Sequence, residues 1–173
     1  TLPKTFLMIL KFFNKNFNIS LSIVALIYFL DRLSKIFVIQ LYKNSLGSEI
    51  FSSTYLNIVL IWNKGIAFGL FSFDESYSYN ILTLLITIIV AILSIMSLKS
   101  HGFKRYSLLM IVGGALGNLH DRIFSNAVPD FIDLHVENFH WFVFNIADIF
   151  ITLGVISMIL MEFIGNNNKD EKI

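Results

Sequence analysis

The sequence contains no cysteine, and this absence excludes disulfides, thiol catalysis and cysteine metal sites. Charged residues are also scarce, at 14% of the 173 residues, whereas soluble domains usually carry about 25%. Hydrophobic residues make up 55% of the chain and its mean hydropathy is +0.71, so the charge deficit indicates that lipid is the solvent. The net charge of +1 leaves no basic surface for a nucleic-acid partner.

Several familiar motifs are missing as well. The first apolar run has no small-x-small cleavage site, so we expect no cleavable signal peptide. There is no phosphate-binding glycine loop with a lysine, and no Asp-Thr-Gly triplet of the soluble aspartic proteases. His135, Glu137 and His140 form H-x-E-x-x-H, which lacks the i, i+4 histidine pair of zinc proteases. We therefore expect neither a metal nor another cofactor.

Four apolar stretches are long enough to cross a membrane, which requires about 20 residues. These stretches cover residues 19–40, 79–98, 106–124 and 141–164. A fifth apolar stretch, residues 55–73, is interrupted by Asn63, Lys64 and Gly65, which favours short strands or interfacial segments over a helix.

Basic residues predict the orientation of these stretches. Three lysines precede the first stretch, and another basic cluster separates the second from the third: Lys4, Lys11, Lys15, Lys99, Lys104 and Arg105. The positive-inside rule places both clusters in the cytoplasm, so an even number of spans separates them. We therefore predict a single all-α membrane domain over residues 1–173, a four-helix bundle with both termini inside and outer segments at 41–78 and 123–141.

The two ends of the chain are predicted to differ from the bundle. On a helix, three lysines share one face of residues 4–18 and phenylalanines lie opposite, which predicts an interfacial amphipathic helix on the cytoplasmic leaflet. A disordered basic tail is the alternative interpretation. Residues 165–173 are polar and are predicted to form a flexible tail.

Polar residues of three predicted helices fall at one depth, roughly 20–24 Å from the cytoplasmic ends at about 1.5 Å per residue. They are Asp31, Asn118, Asp121 and Asp148. Ionisable groups inside a membrane usually mark function, although ion pairs such as Asp31 with Lys35 or with Arg122 would also explain them. Gly113, Gly114 and Gly117 lie just before Asn118 and favour close helix packing in lipid.

Asp130 follows Pro129, which helps to end the third predicted helix. An outer segment held at the membrane surface could bring Asp130 beside Asp148, which has Asn145 one helical turn earlier. Two close carboxylates share a proton, so one can activate water while the other polarises a peptide carbonyl, as in aspartic proteases. The residues alone leave open whether Asp133 or Asp121 takes either role.

Five motifs in this order resemble the bacterial lipoprotein signal peptidases, also called signal peptidase II. The resemblance covers residues 28–163, and its motifs are Asp31-Arg-Leu-Ser-Lys35, Asn63-Lys-Gly-Ile-Ala-Phe-Gly69, Gly113-Gly-Ala-Leu-Gly-Asn118 with Asp121-Arg122, Val128-Pro-Asp-Phe-Ile-Asp133 and Phe144-Asn-Ile-Ala-Asp148. The resemblance implies an aspartic endopeptidase that cuts a prolipoprotein immediately before its diacylglyceryl-modified cysteine. It further implies a multi-pass protein of the bacterial inner membrane, in contact with lipids, with its active site near the outer face and a small β-cradle in the first outer segment. We expect it to act as a monomer.

The resemblance also assigns roles to residues. Asp130 and Asp148 match the catalytic positions, and the residues that match substrate-binding or supporting positions are Asn63, Arg122, Asn118, Asn145, Asp31, Lys35, Gly114 and Asp121. The chain departs from the family pattern at Arg32, Ile66, Pro129 and Ile149, where Gln, Ala, Val and Ser are usual. Pro129 puts the local geometry beside Asp130 in question, and Ile149 could remove a hydrogen bond that supports the aspartates.

Two other classes of protein compete with this interpretation. A proton-coupled transporter could use Asp31, Asp121 and Asp148 as a relay, although the sequence has no internal repeat of the kind transporters often carry. A structural subunit could use the same polar residues to bind partner helices.

Overall fold

The computed structural model describes residues 15–45, 50–65 and 76–170. Within these ranges the chain forms α-helices and one antiparallel sheet. The helices are α1 (Lys15–Asn44), α2 (Ser76–Lys99), α3 (Gly102–Ser125) and α4 (Ile146–Asp170). The strands are β1 (Phe51–Ser52), β2 (Leu56–Asn63), β3 (Val128–Val136) and β4 (Phe139–Phe144). The predicted helical architecture with a small sheet is thus confirmed.

The helices lie where four apolar stretches were predicted, but their ends differ. The prediction that the fourth helix starts at Trp141 was wrong, because residues 139–144 form β4 and α4 begins at Ile146. Helix α4 continues to Asp170, beyond its predicted end at Ile164, and the mobility of the tail stays a prediction. The predicted interfacial helix over residues 4–18 lies mostly outside the described residues, as do positions 66–69 of the outer-loop motif.

Helix α3 is the centre of the helical part, since it packs against α1, α2 and α4. Small residues permit these contacts: a Cβ added to Gly113 would lie 2.9 Å from Cβ of Ile27 on α1. A Cβ added to Gly114 would lie 2.5 Å from the carbonyl oxygen of Ala147 on α4. The predicted close approach of helices at these glycines is therefore confirmed.

The distribution of side chains in α1 is the reverse of that in a soluble helix. Leu33 and Phe37 are 64% and 62% exposed, whereas Asp31 and Lys35 are fully buried. Among the residues that the structure describes, two helical segments are long and apolar enough to cross a membrane, Tyr77–Lys99 and Ile146–Ile164. The charges inside α1 and α3 lower the hydropathy of those helices, although the outward-facing residues of α1 are largely apolar.

The strands pair in the order β1-β2-β3-β4. Strands β1 and β2 fall in the first predicted outer segment. Strands β3 and β4 form a hairpin that begins in the second outer segment and extends beyond its predicted end at residue 141, and no strand was predicted there. Asp130 lies opposite Ile61 of β2, and β3 pairs with β4 from Ile132 onward. Among the described strands, Pro129 therefore sits where β3 is paired on one side only, a position at which the missing N–H of proline is tolerated.

Candidate active site

Asp130 lies on β3 and is only 3% exposed. Its Oδ1 accepts a hydrogen bond of 2.6 Å from Nδ2 of Asn145, and its Oδ2 accepts one of 2.9 Å from Nδ2 of Asn63. The carboxyl group is thus held between the end of β2 and the start of α4, with one amide donor on each oxygen.

Asp148 lies in the first turn of α4 and is half-buried. Its backbone N–H donates to Oδ1 of Asn145 at 3.1 Å, while its own Oδ2 accepts from the backbone N–H of Asn145 at 3.1 Å. This reciprocal arrangement is a capping box in which Asn145 is the N-cap. Asn145 was predicted to lie one turn earlier within the helix, and this detail was wrong, because the helix begins after it.

Two amide side chains at the site are each oriented by a neighbouring group that can donate a hydrogen bond but cannot accept one. Oδ1 of Asn118 accepts from the ammonium of Lys35 at 2.9 Å, so its Nδ2 faces Oδ1 of Asp148 at 2.8 Å. Oδ1 of Asn63 accepts from the backbone N–H of Gly65 at 2.8 Å, so its Nδ2 faces Asp130. Each oxygen of the two aspartates consequently receives a hydrogen bond from a group that can only donate to it.

The two carboxyl groups interact electrostatically. The pKa of Asp130 is raised from 3.8 to about 6, first by burial and next by the charge of Asp148. The hydrogen bonds from Asn63 and Asn145 and the charge of Lys35 act in the opposite direction. Near neutral pH the pair therefore holds a proton more readily than isolated aspartates do.

An ion-pair cluster, formed by Asp31, Arg32, Lys35 and Asp121, joins α1 to α3 and is connected to this pair through Asn118. Lys35 donates to Asp31 at 2.9 Å and to Asp121 at 2.7 Å. Arg32 binds both oxygens of Asp121 at 2.6 Å and also reaches Asp31 at 3.0 Å. The predicted ion pair of Asp31 with Lys35 is confirmed, whereas Arg32, rather than Arg122, supplies the second cation.

Asp31 also connects the cluster to α4. Its Oδ1 accepts a hydrogen bond of 3.1 Å from the backbone N–H of Ala147, which lies in the first turn of that helix. A carboxylate at a helix N-terminus is stabilised by the unpaired N–H groups there. A Cβ added to Gly117 would lie 2.5 Å from Oδ2 of Asp31, so only glycine leaves room for this carboxylate.

Arg122 is buried, and among the described residues its hydrogen bonds go to backbone carbonyls rather than to a carboxylate. Its guanidinium donates to the carbonyl oxygen of Gly65 at 3.0 Å and to that of Asn118 at 3.3 Å. It lies close enough to Asp130 and Asp148 for their charges to act on it. Arg122 thus fixes the segment that follows β2 against α3, next to the aspartate pair.

The other candidate aspartates have different partners. Asp133 is bonded to Nδ1 of His140 at 2.9 Å and to Nδ2 of Asn57 at 3.3 Å. Asp121 belongs to the ion-pair cluster. Of the alternatives that the sequence left open, the structure brings together Asp130 and Asp148.

Comparison with known proteins decides the family. The sequence pattern described as Signal peptidase (SPase) II matches residues 23–164. The lipoprotein signal peptidase of Pelagibacter ubique is 50% identical over 155 residues, which cover 90% of this chain and 93% of that protein. The chain belongs to the signal peptidase II family. As a member of this family, the chain is a signal peptidase, and therefore a protease.

Other similarities agree with this membership of the signal peptidase II family. The lipoprotein signal peptidase of Anaplasma phagocytophilum is 43% identical over 145 residues, covering 83% of this chain and 91% of that protein. A solved structure described as a bacterial membrane enzyme, determined by the in meso method, superimposes with a TM-score of 0.69 at 26% identity. The superposition covers 88% of this chain and 92% of that one.

An apolar cavity of about 540 Å³ opens beside Asp148. It lies between the β3–β4 hairpin and α4, and its walls include Trp141, Phe142, Phe144 and Ile149. The aspartate pair of this signal peptidase II thus has its buried member in the sheet and its half-buried member at the edge of an apolar cavity. The sequence did not predict this cavity, because it predicted a helix from Trp141 onward where most of β4 lies.

Proposed function

We propose that this signal peptidase II is an intramembrane aspartic endopeptidase whose substrates are prolipoproteins with a diacylglyceryl-modified cysteine. It cuts the peptide bond immediately before that cysteine and releases the signal peptide. The observation that carries this proposal is the Asp130–Asp148 pair, joined through Asn145 and supplied with one hydrogen-bond donor per carboxylate oxygen.

The hydrogen-bond donors and charges around the two aspartates favour a different protonation state for each. Asp148 receives its hydrogen bonds at the N-terminus of α4 and from Asn118, which is itself bound to the cation of Lys35. These groups stabilise negative charge. Asp130 is buried in the sheet with two neutral amide donors and a pKa of about 6. We assign the ionised role to Asp148 and the protonated role to Asp130.

Hydrolysis then needs only one water molecule and the shared proton. Asp148 removes a proton from the water as its oxygen attacks the carbonyl carbon, while Asp130 gives its proton to the carbonyl oxygen. The resulting tetrahedral diol collapses when Asp148 returns its proton to the leaving nitrogen and Asp130 takes one back from a hydroxyl. The products are an amine and a carboxylic acid, and the pair regains its starting protonation.

The position of the site suits a substrate that arrives from lipid. The cavity beside Asp148 is almost entirely apolar, and the outer faces of α1 and α2 expose aliphatic and aromatic side chains, including Leu33 at 64% and Leu84 at 61%. We propose that all four helices cross the bacterial inner membrane as a monomer, with both termini in the cytoplasm. The sheet and the aspartate pair would lie at the outer face. The ion-pair cluster is compatible with this burial, because charges inside a membrane are tolerated when they are paired.

A cleavage assay tests the function directly. Purified protein is mixed with a diacylglyceryl-modified prolipoprotein, and the products are identified by mass spectrometry. We expect cleavage before the modified cysteine, and a fall of about 10²–10⁴ in turnover for Asp130→Asn and for Asp148→Asn. Asp133→Asn is the matched control, since Asp133 is a buried aspartate of the same strand with different partners, and it should cleave normally. Normal turnover by Asp148→Asn would remove that residue from the mechanism.

A further inference from the structure

Lys35 connects the ion-pair cluster to the aspartate pair. Its side chain is 1% exposed, and its ammonium donates to Asp31, to Asp121 and to Oδ1 of Asn118. The same amide of Asn118 donates to Asp148 at 2.8 Å. A single amide group therefore separates the buried cation from a carboxylate of the pair.

This contact fixes which way the amide of Asn118 points. An ammonium has three donors and no acceptor, so the oxygen of Asn118 must face Lys35 and its NH₂ group must face Asp148. Without Lys35, the amide could rotate and turn its oxygen toward the carboxylate. The hydrogen bond to Asp148 would then be replaced by repulsion between two oxygens.

The cluster does not depend on Lys35 alone for its neutrality. Arg32 binds Asp121 through two parallel hydrogen bonds of 2.6 Å, the strongest geometry available to such a pair. It also reaches Asp31 at 3.0 Å. Two cations thus serve two carboxylates, and of these two cations it is Lys35 that binds the side chain of Asn118.

We propose that Lys35 is a positioning residue of the peptidase, which orients Asn118 and thereby keeps Asp148 in its ionised, hydrogen-bonded state; this inference rests on the aspartic peptidase function proposed above. Loss of Lys35 would make negative charge at the pair less favourable. The pair with one proton, which is the active form, would then appear at higher pH and also lose its proton at higher pH. Both limbs of the pH–rate profile would therefore move to higher pH.

Other charged and titratable groups surround the aspartate pair and must stay unchanged in the test. Among the described residues they are Asp31 and Arg32 from α1, Tyr79 from α2, Asp121 and Arg122 from α3, and Tyr55 and His135 from the sheet side. The positive charge of Lys35 itself is one cause that lowers the pKa of Asp130. A variant that removes Lys35 must therefore leave the net charge of the cluster unaltered.

Two double variants meet this condition. K35M/D121N leaves Asp31 paired with Arg32, and R32Q/D121N leaves Asp31 paired with Lys35, so both clusters stay neutral. The two differ in whether the cation bound to Asn118 remains. The measurement is kcat/KM for the lipid-modified prolipoprotein across roughly pH 4 to 9, spanning both limbs of the profile, together with the melting temperature of each variant.

We expect K35M/D121N to move both limbs upward by about one pH unit or more and to lower kcat rather than raise KM. R32Q/D121N should keep the position of the wild-type profile. Equal profiles for the two variants would overturn the proposal, because Lys35 would then be only a counter-ion. If K35M/D121N does not fold, N118L breaks the same link with the cluster intact, and a wild-type profile for N118L would equally overturn it. Failure of the wild-type protein to cleave the substrate would instead refute the proposed function.

Discussion

The raised pKa of Asp130 predicts that the site destabilises the protein at neutral pH. Its folded-state pKa of about 6 lies about two units above the ordinary value of 3.8, and each unit corresponds to about 1.4 kcal/mol. The folded protein therefore binds this proton more tightly than the unfolded chain. The stabilisation that comes from this tighter proton binding at Asp130 is complete below pH 3.8 and is lost as pH rises through about 6. Between about pH 4 and pH 8 the wild-type protein should lose about 2.5 kcal/mol that Asp130→Asn does not lose, because the unfolded chain is already partly ionised at pH 4.

The assay is thermal unfolding of both proteins in one detergent across that pH range. The Asp130→Asn substitution places an NH₂ group against the amide donors of Asn63 or Asn145, but that cost is the same at every pH. The difference in stability between variant and wild type should therefore grow with pH, whatever its value at the acidic end. Ser94→Ala on α2 is the control, because the Ser94 hydroxyl donates to the carbonyl of Val90 within its own helix, and its difference should not vary with pH. A difference for Asp130→Asn that stays flat across the whole range would refute the reasoning.

Two further predictions concern the support of the site. Gly117→Ala would place its Cβ 2.5 Å from Oδ2 of Asp31, so we expect a loss of about 1–3 kcal/mol in thermal unfolding; an unchanged melting temperature would mean that Asp31 can move freely. Asn145→Ala should lose about 1 kcal/mol of stability from the helix cap and should also lose cleavage activity. Asn145→Ser should restore the melting temperature, because its hydroxyl can cap the helix. It should not restore activity, because only the amide of asparagine reaches Asp130. Full activity of the serine variant would show that this amide is dispensable.

The helices were predictable because they coincide with long apolar runs in the sequence, and the polar level was predictable because helices have a fixed rise per residue. Counting along the chain placed Asp31, Asn118 and Asp148 at one depth, and the structure links them through Lys35. Counting could not predict which amide faces which carboxylate. That choice depends on donors from other elements, such as the backbone N–H of Gly65.

The β3–β4 hairpin was missed for a physical reason. Residues 141–144 are apolar, and only Asn145 separates them from the apolar sequence of α4, so overall composition does not distinguish the strand from the helix. One local signal was available, since Asn145 followed three residues later by Asp148 is the pattern of an N-cap and its reciprocal partner. Read in that way, the sequence would have placed the helix start at Ile146 and the preceding aromatics in another element.

The departure at Ile149 allows a last prediction that separates hydrogen bonding from apolar packing. The sequence suggested that Ile149 removes a hydrogen bond to the aspartates, because serine is usual there. Yet both oxygens of Asp148 already have donors, Asn118 and the backbone N–H of Asn145, and Ile149 lines the apolar cavity.

Ile149→Ser should therefore leave kcat within about two-fold and raise KM, since burying less apolar surface weakens substrate binding by about 25 cal/mol per Å². Ile149→Val is the matched control, with a smaller rise in KM. A serine variant with higher kcat and unchanged KM would mean that the hydroxyl supplies a hydrogen bond the aspartate pair lacks, and that the donors described around Asp148 do not complete the site.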